Sequence, residues 1–135
     1  MSETTTSEDT EAITFEMTVT PSDAMLGDLF TTALEGGINY WASVSAYKWQ
    51  NRPEPEYYAV IHESENEDKE YRVTIETIRE GLRNIVTNQV KYNLGEGESV
   101  AKLAIGLLTD EDYDYDAGDA DNVVQAGLFK EIVYG

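Results

Sequence analysis

The chain has no cysteine, which excludes disulfides, zinc–thiolate sites and cysteine nucleophiles. It is also poor in positive charge: nine lysines and arginines face 27 aspartates and glutamates, a net charge of −18. Lysine and arginine are what neutralise phosphates, so a nucleic-acid duplex would be repelled and direct nucleic-acid binding is not expected. Acidic membrane surfaces are disfavoured for the same reason. No apolar run approaches the roughly 18–20 residues of a membrane span. The first twelve residues, "MSETTTSEDTEA", lack a basic and an apolar region, which reads against a signal peptide. The expectation is a soluble intracellular protein. There is no G-x-S-x-G, no glycine-rich phosphate loop, and only one histidine, His62. No catalytic residue or cofactor is indicated, and the balance leans away from an enzyme.

Three readings fit the acidity. Five lysines and 13 threonines suit a halophilic protein adapted to a salty cytoplasm. Alternatively, carboxylates could mimic a DNA phosphate array and occupy a DNA-binding protein. The third reading is plain colloidal repulsion in an acidic soluble protein.

With 135 residues and 41 % hydrophobic side chains, a single domain with a real core is expected. Residues 1–12 read as a disordered acidic tail and 13–135 as one α+β domain. Ile13, Phe15, Met17 and Val19 alternate with polar residues, a strand pattern. "TPSD" (20–23) then offers Thr20 as a helix cap and Pro21 at the first helical position. The stripe Met25, Leu26, Leu29, Phe30, Ala33, Leu34 has helical spacing, with Gly36 and Gly37 as its stop.

Residues 38–49 read as a strand with Ile38, Tyr40, Ala42, Val44 and Ala46 on one face. Asn39, Trp41, Ser43, Ser45, Tyr47 and Trp49 would then share the other. Pro53 and Pro55 make 51–56 a loop. "YYAVIH" (57–62) and "YRVTI" (71–75) complete an antiparallel meander across the charged turn "ESENEDKE". Three helical stripes follow. The first is Ile75, Ile78, Leu82, Ile85 and Val86, with Gly81 allowing close packing on the sheet. The second is Val100, Leu103, Ala104, Leu107 and Leu108, and the third is Ala120, Val123, Val124, Gly127 and Leu128. "EIVYG" closes the chain as a short edge strand. The fold class is therefore α+β: a three- to four-stranded antiparallel sheet with an N-terminal helix and a C-terminal helical half on one face.

Two clusters carry the candidate ligand-binding residues. Trp41, Tyr47 and Trp49, separated by small polar residues, could form a pocket floor that stacks a planar ligand; the competing reading is core packing. Arg79 and Arg83, four apart on a helix, could clamp a phosphate or carboxylate. They also follow Glu76 and Glu80 by three residues, where helix ion pairs form without a ligand. The acidic loop 109–122 fails as an EF-hand. Counting from Asp112, Ala117 stands where glycine belongs and Val123 where the bidentate glutamate belongs, so no metal site is expected. His62 has no sequence-level nucleophile beside it.

"TALEGGINYWASV" (32–44) and "DAGDADNVVQAGLFKEIVYG" (116–135) together resemble a family of small proteins of unassigned function from tailed phages and related archaeal viruses. Its members pair an "ALEGG…NYW" segment with a C-terminal "D…Q…LFGE(V/I)VYG" segment. Lys130 stands where the family usually has glycine. The resemblance implies a viral or proviral accessory protein in a host cytoplasm, and supplies no activity or cofactor. The expectation is a binding protein whose partner is a host protein or a small nucleotide-like ligand, with a DNA mimic as the alternative.

Overall fold

A computed structural model describes residues 13, 16–50, 56–110 and 112–135. The expected tail (1–12), most of the proline loop (51–55) and Thr14 and Phe15 of the first expected strand lie outside these residues. Helix α1 (Asp23–Thr32) starts two residues later than "TPSD" suggested. Ser22, in extended backbone, accepts the Met25 amide on its Oγ at 3.1 Å and is the true cap. The helix does not stop at its glycines either. It widens into a π-helical turn (Ala33–Gly37), closed by the Ile38 amide on the Ala33 carbonyl, and neither Gly36 nor Gly37 has positive φ.

The main sheet is an antiparallel meander of β1 (Ala42–Gln50), β2 (Glu56–Glu63) and β3 (Asn66–Thr74), in the order β1-β2-β3. The β2–β3 hairpin turns at Ser64 and Glu65, so most of the expected eight-residue turn is strand. Residues 16–19 form no strand. Met17 and Val19 lie instead beside Leu82 and Leu108 of the later helices.

Helix α2 (Ile75–Val86) follows β3 directly. Thr74 caps it, accepting the Glu76 amide while its own amide donates to Thr77 Oγ1. After β4 (Lys91–Tyr92) come α3 (Gly97–Thr109), α4 (Ala117–Phe129) and β5 (Glu131–Ile132). Strand β5 does not edge the main sheet; it pairs in parallel with β4. All three C-terminal stripes are helical, as their spacing required. The closest helix packing is α2 on α4. Gly81 faces the Val123 carbonyl and Gly127 faces the Thr77 carbonyl with no room for a methyl group at either. Gly81 therefore permits close approach to a helix, not to the sheet.

One buried cluster unites the layers. Leu26, Leu29 and Phe30 of α1 join Ile61 and Val73 of the sheet and Ile78, Leu82, Leu107 and Val123 of the later helices. The fold is α+β, and no helix among the described residues is long and apolar enough to cross a membrane.

Candidate functional site

The faces of β1 are decided by one irregularity. Val44 pairs with Ile61 and Ala46 with Val60, leaving Ser45 as an extra residue. Beyond it Tyr47 sits opposite Ala59 and Trp49 opposite Tyr57. Because Ala59 and Ile61 are wholly buried, this is the helix-facing side of the sheet. The bulge thus moves Tyr47 and Trp49 onto the same face as Ala42 and Val44, against the strict alternation expected from sequence. The Tyr47 ring stacks on Phe30 at 6.0 Å and its hydroxyl donates to Glu35 at 2.7 Å. Burial first, then that bond to Glu35, raises its pKa.

Trp49 reaches past the covered part of the sheet and is 48 % exposed. It borders a groove of about 490 Å³ between the sheet and α1. Trp49 and Tyr57 form its aromatic side, and Asp23, Asp28 and Glu35 bring three carboxylates. Among the described residues, no lysine or arginine lines it. Asp28 accepts a hydrogen bond from Tyr115, whose pKa burial and this bond push up to about 12.

Trp41 is elsewhere. It precedes β1 in a tight turn, its amide on the Ile38 carbonyl, and is 4 % exposed. Its indole stacks on Tyr134 and its Nε1–H donates to Asp121 Oδ1 at 2.8 Å. Arg79 and Arg83 occupy a third place, each ion-paired with the glutamate three residues earlier, Glu76 and Glu80. They flank a groove of about 410 Å³ with Leu82, Val86, Ile105 and Leu108. Arg72 is separate again, 4.3 Å over the Tyr58 ring. The five candidate residues are therefore distributed over three places in the fold.

The lone histidine has a neighbour that sequence did not show. Ser45 Oγ lies 3.0 Å from His62 Nε2, and His62 Nδ1 lies 3.0 Å from the Glu67 carbonyl. A nucleophile needs a concave site that holds substrate and donors for the developing charge. Neither Ser45 nor His62 lines either groove described above, and the pair joins neighbouring strands across the open face of the sheet.

The largest omission of the sequence reading is a buried polar network built on α4. Asp121 and Gln125, one turn apart, are buried among apolar neighbours. Asp121 accepts from Tyr40 at 2.6 Å, from Trp41, and from Gln125 Nε2 at 3.0 Å. Burial raises its pKa, and these three donors oppose the rise. Gln125 Oε1 accepts the amides of Val133 and Tyr134, both at 2.8 Å, and its Nε2 donates to the Tyr134 carbonyl. Tyr134 and Tyr71 both donate to Glu63, which lowers the Glu63 pKa. A Cβ on Gly37 would lie 2.5 Å from the Ala117 carbonyl, so only glycine lets the π-helical turn cross the start of α4. The segments 32–44 and 116–135 thus meet in one unit that fastens the C-terminal residues to the sheet. The signal was an Asp and a Gln spaced i, i+4 inside an apolar stripe, hidden by the acidic run before it. Asp121 belongs to helix rather than to the acidic loop expected over 109–122.

Neither a protein-family model, nor a curated protein, nor a solved structure matches the chain.

Proposed function

We propose that this is a small acidic viral or proviral accessory protein that acts by binding, and that its partner is a host protein presenting a basic segment. The observation that carries the reading is Trp49, half exposed beside Tyr57 and facing Asp23, Asp28 and Glu35. An indole face attracts a lysine or arginine head by about 0.5–2 kcal/mol. Carboxylates around it supply charge-assisted hydrogen bonds, bidentate for guanidinium. A nucleotide suits the groove less well, because its phosphates would meet three carboxylates while Arg79 and Arg83 lie at another site. A net charge of −18 would steer a basic partner and make its association salt-dependent. The viral assignment rests on the two family-like segments.

The test is calorimetric titration with an arginine-rich peptide. Trp49→Ala leaves the net charge unchanged, so loose attraction to the acidic surface survives and only groove binding is lost. An affinity loss of about tenfold or more is expected. Equal affinity for the two proteins would remove the groove from the account.

A second reading, DNA mimicry, is favoured by one feature: Glu65, Glu67, Asp68 and Glu70 form an exposed run of carboxylates along the β2–β3 hairpin. Under it, duplex DNA would displace the partner and Trp49→Ala would change nothing.

A further inference from the structure

The main sheet has two edges of opposite character. Edge strand β3, "NEDKEYRVT", carries five charged side chains in nine residues, the usual protection against pairing with another chain. Edge strand β1, "ASVSAYKWQ", carries one, Lys48, in a chain that is 27 % charged. Among the described residues, β2 is the only regular element in extensive contact with β1. Among the described residues that edge is free, and it runs through Trp49, where the acidic groove opens, to Gln50.

We infer that β1 accepts a basic segment of the partner as an added, extended strand, with alternate side chains entering the groove beside Trp49. This rests on the binding reading above and adds the form in which the partner binds. Backbone hydrogen bonds along an open edge supply affinity without regard to sequence, and alternate side chains supply selection. The carboxylates select arginine or lysine at positions that fall beside Trp49. Charge also decides against a second copy as occupant, since two chains of −18 each repel. The Ser45 bulge limits regular pairing to the stretches on either side of it, and the one carrying Tyr47 and Trp49 adjoins the groove.

The experiment is amide hydrogen exchange by NMR on the full chain, with and without a saturating nine-residue peptide of alternating arginine and valine. An added strand would slow exchange about tenfold or more at alternate β1 amides, those facing away from β2, and leave β3 unchanged. If no β1 amide gains protection while Trp49→Ala still weakens the peptide, strand addition is overturned and the cationic groove stands. If neither β1 protection nor dependence on Trp49 is found, both readings fall.

Discussion

The Tyr134 ring lies parallel to the Trp41 indole, 4.7 Å between centroids and 6° between planes. Tyr134 belongs to the last two residues of the chain and Trp41 to the turn before β1, so this stack joins segments 32–44 and 116–135. It also distinguishes the two tryptophans: Trp41 is buried beneath Tyr134, and Trp49 is half exposed.

Trp41→Phe keeps an aromatic ring but removes a donor from buried Asp121. Leaving a buried carboxylate short of a partner costs about 1–3 kcal/mol. Urea unfolding should show that loss. Trp49→Ala, at a half-exposed position, should stay within about 0.5 kcal/mol of the parent protein.

Glu63 and its two tyrosines give a titration with opposite signs at the two ends of the pH scale. The Tyr71 and Tyr134 hydroxyls are pushed up to about 12 from 10.0, chiefly by their bonds to Glu63. Their stabilising contribution is fully present below pH 10 and is lost as pH rises through about 12. Glu63, lowered from 4.5, contributes stability above that value that disappears as pH falls through its depressed pKa. Ultraviolet titration of the phenols and carboxyl-carbon NMR of Glu63 check the two halves. In Glu63→Gln both tyrosines should titrate nearer 10.

Lys130 closes α4 in left-handed backbone, φ 54°. A side chain there costs about 1–2 kcal/mol relative to glycine. Lys130→Gly, which relieves the left-handed backbone, should raise the unfolding free energy by about 1 kcal/mol. Thermal and urea unfolding measure it.

Gly81→Ala tests the α2–α4 crossing. On helix propensity alone the change would stabilise α2 by about 1 kcal/mol. The Val123 carbonyl occupies the space of the new methyl, so a net loss of about 1–3 kcal/mol is expected.

The helices were legible in the sequence because a stripe such as Val100, Leu103, Ala104 and Leu107 fits only one period. The face of Trp49 was not, since alternation cannot register the extra residue at Ser45, and one residue reverses every side chain beyond it. The strand pattern misled over 16–19 because alternation does not say what the apolar side chains pack on, and Met17 and Val19 lie beside helix residues Leu82 and Leu108. The role of Asp121 was obscured because an acidic residue in an acidic run reads as solvated. Only the arrival of Tyr40 and Trp41 from 80 residues away shows it as buried and bonded. Arg79 and Arg83 were read correctly as possible helix ion pairs, since i, i+3 spacing is local and needs no tertiary knowledge.

The most direct test of the binding account uses the two indole N–H resonances, observed by nitrogen-edited NMR while an arginine-rich peptide is added. The Trp49 signal should move progressively to saturation, and the Trp41 signal, bonded to Asp121 beneath Tyr134, should stay in place. A Trp49 signal that does not move as the peptide binds would contradict the account, because the groove would then have no part in holding a cation.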